Sequence, residues 1–270
     1  MKYILYNPKS NNGLKPDYLD GKDYIDVIGL DYQKFFDALA EDDEVVFVGG
    51  DGTLNYFINA VDTDKLKNNV YLYPSGSGND FMNDIDNRDG HEVLLNGYIK
   101  NLPTVYVNGM ERKFINGIGY GIDGYCCEAA DKIRESDPGA KLNYTAIAIK
   151  GLLFYFKQRN ALIKVDGREY SFKDVWLAPA MKGRFYGGGM MVAPGQDRSS
   201  DTLTTVVYCA KSKLKSLIIF PNIFKGTHVA YTDMVHIMSG KEIEVKFDVP
   251  CALQIDGETV LNVSSYRAKI

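Results

Sequence analysis

The sequence predicts an α/β N-terminal domain with an open parallel sheet, followed by a β-rich antiparallel C-terminal domain. Three observations predict it. Short apolar runs alternate with helix-like segments over the first third of the chain. Glycine clusters follow two of those runs directly, at Gly49-Gly50 and Gly76-Ser77-Gly78. Beyond about Pro103 the rhythm changes to strand after strand, several of them alternating apolar with polar residues. Strand, turn and helix in repetition imply a parallel sheet, whereas period-two alternation marks antiparallel strands with one wet face.

Lys2–Tyr6 is the first strand, and it ends where Asn7-Pro8 starts a turn. Residues 24–28 form a second strand, after which Asp31 precedes Phe35, Phe36 and Leu39 at helical spacing. Residues 44–48 are nearly all apolar, as a central parallel strand covered on both faces requires. Leu54, Ile58 and Val61 then recur at i, i+4 and i+7, one buried helix face. A fourth strand spans 70–73 and runs into Pro74-Ser75-Gly76-Ser77-Gly78-Asn79-Asp80. Residues 123–134 and 141–158 read as helices, and strands are expected at 161–165, 174–178, 202–209, 234–238, 241–247, 252–255 and 260–266. The domains are drawn at 1–102 and 103–264, with residues 265–270 as a candidate return into the first.

Composition narrows the function. With 270 residues, 45% hydrophobic and 24% charged, the chain can bury a large core, and disorder is excluded. Thirty-one basic against 35 acidic residues leave a net charge of −4, which gives no general field for nucleic acid. The N-terminus lacks a signal-peptide pattern, no apolar run reaches the ~18 residues of a membrane span, and the four cysteines have neither paired nor metal-ligand spacing. These features predict a cytoplasmic protein with reduced thiols. The three histidines make no zinc pattern.

The glycine turns carry the chemistry. Glycines after a buried parallel strand let the backbone turn sharply and expose amides that no Cβ shields. A helix beginning there adds free N–H donors and a positive dipole end, which together favour phosphate. Asp51, in Gly49-Gly50-Asp51-Gly52-Thr53-Leu54-Asn55, has a carboxylate in reach of a metal ion or a polarised hydroxyl, although such a tetrapeptide alone also reads as a plain turn. Two such turns at neighbouring strand ends would face one crevice. No Gly-Lys-Ser/Thr follows the glycines, and no Gly-x-Gly-x-x-Gly opens the first βα turn, so this is a phosphate site of another kind.

Five motifs in order carry a family resemblance: Asn7-Pro8, the 49–55 turn, the 74–80 turn, Asn116-Gly117-Ile118-Gly119-Tyr120-Gly121-Ile122-Asp123, and Ile255-Asp256-Gly257-Glu258. Together they span nearly the whole chain and resemble the diacylglycerol kinase catalytic-domain family, which includes bacterial soluble lipid kinases and the sphingosine and ceramide kinases. The resemblance implies an NAD-kinase-like nucleotide-binding domain, a β-rich lipid-substrate domain, and an active site between them. It implies ATP and Mg²⁺, with transfer of a γ-phosphoryl group to a lipid hydroxyl, diacylglycerol foremost. Residue by residue, it puts Asn7, Pro8, Lys9, Ser10, Gly49, Gly50, Gly52, Thr53, Leu54, Asn55 and Ser77 around the nucleotide, with Asp51 orienting its phosphates.

Glu258 is the implied general base, carried on a turn that Asp256-Gly257 also marks as a hairpin; Asp256 either assists or only shapes that turn. Asp123 is a contact for the lipid head group or an N-cap for the helix after it. Asp201, with the carbonyls of Arg198 and Leu203, matches the family's structural Mg²⁺ site, with Thr202 where the family has glycine. Gly187-Gly188-Gly189 is read as close backbone packing. Lysine-flanked apolar stretches at 151–157 and 211–220 suit peripheral association with the inner membrane face, or equally core helices with snorkelling lysines. Exposed strand edges leave room for a homodimer. The rival readings are an NAD kinase, which shares the Gly-Gly-Asp-Gly-Thr turn, and a nucleotide- or lipid-binding protein without turnover.

Overall fold

The computed structural model describes residues 1–8, 15–76, 78–87, 90–137, 140, 142 and 144–270. It divides into two compact units, Met1–Leu102 and Pro103–Ile270. In the first, strands β1 (Lys2–Tyr6), β2 (Ile25–Asp26), β3 (Glu44–Gly49), β4 (Asn69–Pro74) and β5 (Val93–Leu94) form one sheet in the order β2-β1-β3-β4-β5. All neighbours are parallel except β4 and the two-residue edge strand β5. The helices are α1 (Tyr32–Asp37), α2 (Asp51–Ala60) and α3 (Asp80–Asp84). Asp31 caps α1 by accepting from the Lys34 N–H at 3.1 Å. Val45 to Val48 are buried, and Phe47 meets Phe57 of α2 with ring centroids 4.6 Å apart, so the apolar face of α2 is sealed onto the central strand.

The second unit contains β6 (Thr104–Val107), β7 (Met110–Lys113), β8 (Gly117–Tyr120), β9 (Arg159–Val165), β10 (Arg168–Leu177), β11 (Ala180–Met181), β12 (Phe185–Tyr186), β13 (Met190–Met191), β14 (Leu203–Cys209), β15 (Val235–Gly240), β16 (Glu242–Ile255) and β17 (Glu258–Lys269). Its helices are α4 (Ile122–Ser136), α5 (Tyr144–Lys150) and α6 (Lys213–Ile219). Strands β8, β11, β14, β10, β9 and β16 pair in a closed circuit, because β16 bonds to both β8 and β9. Three hairpins turn on Asn108-Gly109, Asp166-Gly167 and Asp256-Gly257, each with both residues at positive φ, the geometry of a type I′ turn. Residues 265–269 lie in β17, between β16 and β6 of this unit.

Tyr120, Ile163, Val245 and Phe247 pack inside the circuit, with Tyr120 stacked on Phe247 at 4.1 Å. A second cluster around the fully buried Trp176 holds Ile122 of α4 and Ile219 of α6 against the sheet. The expected helix at 141–158 is shorter: α5 passes into a π-helical turn, Gly151–Tyr155. The strands expected at 241–247 and 252–255 are one strand, which crosses the exposed Pro250 through register shifts between Lys246 and Leu253. Among the described residues, no helix is long and apolar enough to cross a membrane.

Candidate active site

In the first unit the described residues expected around the nucleotide gather at the C-terminal ends of β1, β3 and β4. The Asn7 N–H donates to the Val48 carbonyl, and its side-chain amide donates to Thr53 Oγ1 at 3.1 Å. Pro8 follows in the same turn. A Cβ on Gly49 would lie 2.3 Å from Thr53 Oγ1, and one on Gly50 would lie 2.8 Å from Gly76 Cα, so the two glycine turns touch backbone to backbone. Asp51 fastens them: its two oxygens accept from the Asp80 N–H at 2.9 Å and the Phe81 N–H at 3.0 Å, the start of α3. Thr53, Leu54 and Asn55 are buried in α2, so Leu54 and Asn55 stand beneath the turn. Gly52 is different. It is exposed, it has no positive φ, and a Cβ there would meet nothing within 4 Å. Among the described residues, neither conformation nor packing calls for glycine at that position, which leaves the backbone at the N-terminus of α2 open to close approach. Lys9, Ser10 and Ser77 lie outside the described residues.

In the second unit the candidate residues converge on β8. Asp256, buried at the hairpin before β17, accepts from the Ile115, Asn116 and Gly117 N–H groups at 2.7, 2.9 and 2.9 Å. Gln254 accepts from the Gly257 N–H at 2.7 Å, which fixes the same turn from the other side. Asp256 is thus the anchor of the turn, and Glu258, exposed at the first position of β17, is the carboxylate that the turn presents to solvent.

Asp123 sits at the other end of β8, within the first turn of α4. It is not the helix cap: Gly121 holds that position, and the Asp123 carboxylate instead accepts from the buried Tyr186 hydroxyl. Burial pushes this carboxyl up to about 7, against the Tyr186 hydrogen bond, which favours the charged form. Tyr186 was not legible as a site residue, because its partner is 63 positions away; the adjacent triple glycine was the available signal. Gly187, Gly188 and Gly189 all have positive φ, so they form the tip of the β12–β13 hairpin that carries Tyr186.

Asp201 is exposed, and its carboxylate is paired with the Lys241 ammonium at 2.6 Å, which holds it below the ordinary carboxylate range. Arg198 turns its guanidinium to the Ile115 carbonyl and to Asn116 Oδ1, and Leu203 begins β14. One carboxylate with two backbone carbonyls is the oxygen chemistry Mg²⁺ accepts, but the ion would compete with Lys241 for Asp201. Among the described residues, no group of three His, Cys, Asp or Glu side chains forms a metal site.

Comparison with known proteins agrees with this architecture. The diacylglycerol kinase catalytic domain matches residues 2–106, and the YegS C-terminal NAD kinase beta sandwich-like domain matches residues 116–267. Proteins of two Mycobacterium tuberculosis strains named diacylglycerol kinase are 26% identical over 239 residues, covering 84% of this chain and 75% of theirs. A crystal structure of a diacylglycerol kinase from Bacillus anthracis superposes with a TM-score of 0.65 at 17% identity, over 99% of this chain and 93% of that one. A second structure from that organism reaches 0.69 over 99% and 91% of the two chains, also at 17% identity; these likenesses concern the fold. With both domain families matched in order, the chain belongs to the diacylglycerol kinase catalytic-domain family of lipid kinases, in the form that carries a YegS-type C-terminal domain.

Proposed function

We propose that this lipid kinase transfers the γ-phosphoryl group of ATP, taken as its Mg²⁺ complex, to the free hydroxyl of diacylglycerol, giving phosphatidic acid. The observation that supports the nucleotide half is Gly52, an exposed glycine at the mouth of α2 whose Cβ position no described residue occupies, as close approach of a phosphate requires. In this reading the amides of Gly50 to Thr53 receive the phosphates, Asn7 and Thr53 brace the turn, and Asp51 holds the two glycine turns in register. Lys9, Ser10 and Ser77 belong to the same nucleotide set by family resemblance alone.

For the lipid half, Glu258 takes the proton of the acceptor hydroxyl as its oxygen attacks the γ-phosphorus and ADP leaves. The turn anchored by Asp256 and Gln254 keeps this carboxylate in one place. Asp123, near neutrality, can donate to or accept from the glycerol backbone of the lipid. A structural Mg²⁺ at Asp201, with the carbonyls of Arg198 and Leu203, stays within the proposal as a competitor of Lys241, and no chemical step runs through it. Diacylglycerol is favoured over other lipids because the Mycobacterium tuberculosis relatives carry that name.

The test is phosphoryl transfer from labelled ATP with Mg²⁺ to diacylglycerol, sphingosine, ceramide, undecaprenol, phosphatidylglycerol and NAD in parallel. Labelled phosphatidic acid is expected. Transfer to another lipid alone would replace the substrate, and transfer to NAD alone would overturn the lipid reading.

A further inference from the structure

The second unit exposes four large apolar side chains on two adjoining elements. The π-helical turn after α5 exposes Phe154 and Tyr155 to 73% and 67%, and the neighbouring α6 exposes Leu214 and Ile218 to 68% and 65%. These elements adjoin: the Lys213 ammonium donates to the Leu153 carbonyl at 2.9 Å, which ties α6 to the π turn. The opposite sides of the same segments are committed to the core, with Leu152, Phe156, Ile219 and Phe220 buried. The inward side chains satisfy the fold, and the outward ones are left over. Snorkelling lysines do not cover them, since the four remain about two-thirds exposed.

The segments that carry them hold charge of one sign, with acid entering from other elements, Glu128 near Tyr125 and Asp233 near Tyr208. Residues 144–157 and 211–225 contain Lys150, Lys157, Lys211, Lys213, Lys215 and Lys225 and no Asp or Glu, in a chain whose acidic residues outnumber its basic ones 35 to 31. A local cationic rim around exposed aromatic and aliphatic side chains is the complement of an anionic bilayer: the rings enter the boundary between headgroups and acyl chains, and the ammonium groups stay with the phosphates. A soluble anionic partner would account for the lysines but not for four unshielded apolar side chains beside them.

From this we propose that Phe154, Tyr155, Leu214 and Ile218, rimmed by Lys157, Lys211 and Lys215, form a docking face for an anionic lipid bilayer. The proposal rests on the lipid-kinase reading only for its purpose, which is to bring the second unit to the surface that holds its substrate.

The experiment is co-sedimentation of the full chain with phosphatidylcholine vesicles, with and without phosphatidylglycerol, at low and high salt. Wild-type protein is expected on the phosphatidylglycerol vesicles, less on phosphatidylcholine, with binding weakened by salt. The variant F154S/Y155S/L214S/I218S should lose about tenfold or more in affinity, and K157E/K211E/K215E about a hundredfold on the anionic vesicles. All seven side chains are outward-facing, so thermal melts of both variants should match wild type. Phosphorylation of diacylglycerol in neutral detergent micelles should persist in both. Absence of wild-type binding to either vesicle, or unchanged binding by the serine variant, overturns the docking face. So does a wild-type dimer that the serine substitutions split while vesicle binding stays intact, because a second copy then covers these residues. Vesicle binding as expected without phosphorylation of any lipid leaves the docking face standing and breaks the functional reading instead.

Discussion

The two units build their candidate sites from opposite materials. The first uses backbone: glycine turns pressed together at Gly50 and Gly76, with a carboxylate, Asp51, employed to cap amides. The second uses carboxylates arranged about one strand, with Asp256 at the start of β8, Asp123 beyond its end, and Glu258 free at the hairpin tip. The contrast teaches a division of labour. Backbone amides recognise phosphate without carrying charge of their own, which suits a site for a polyanion on an acidic protein. One buried carboxyl raised toward neutrality, Asp123, beside one exposed carboxylate, Glu258, suits a site that must move a proton.

If that division holds, its two halves come apart under substitution. Glu258→Gln should reduce turnover by about 10²–10⁴-fold while leaving ATP binding intact, measured by steady-state kinetics beside calorimetric titration of ATP. A variant that keeps its rate would remove Glu258 from the proton-transfer role. Asp256→Ala strands three buried N–H donors and should destabilise the second unit by about 3–5 kcal/mol, read as a lowered denaturant midpoint.

Asp123 sharpens the contrast through pH. Its carboxyl lies near 7 in the folded protein against an ordinary 3.8, so between these values the native state holds a proton that the unfolded chain has released. Stability from this group is therefore greatest at the acidic end and falls as pH rises through 7, by on the order of a few kcal/mol. Asp123→Asn should flatten that part of a melting-temperature profile between pH 5 and 8 (about the range where an ordinary carboxylate is silent); an unchanged profile would contradict the raised value.

The smallest effects belong to the glycines, and their signs differ. Gly50→Ala drives a Cβ into Gly76 and should cost about 1–3 kcal/mol of stability. Gly52→Ala meets open space and should stabilise α2 by about 0.5–1 kcal/mol, yet weaken ATP binding, so melting temperature and affinity move in opposite directions. Equal ATP affinity in Gly52→Ala would remove the ligand from the mouth of α2.

Local patterns were legible where one short segment settles its own structure. The apolar run at 44–48 and the Asp256-Gly257 turn needed nothing from elsewhere, and they became a central parallel strand and a type I′ hairpin. What escaped was set by distant partners. Arg168–Leu177 begins with six residues too polar to read as strand, yet they pair along β9 because the Asp166-Gly167 turn folds them back. Pro250 looks like a strand terminus, but an exposed bulge accommodates it. The candidate site divides in the same way. Glycine marks its own turns, whereas the contact of Gly50 with Gly76, the Tyr186–Asp123 bond and the triple cap by Asp256 are long-range facts that no spacing encodes.

The closed circuit of the second unit has a consequence in time. Its ring is completed only by β16, which pairs with β8, some 130 residues upstream, and with β9. On a ribosome adding about 5–20 residues per second, the first unit emerges with all of its strands while the ring is still open. The apolar lining of β8 waits for its closing strand for about 7 to 27 s, and that of β10 for about 4 to 16 s. A chaperone that shelters open sheet edges would act on this second half of the newborn chain.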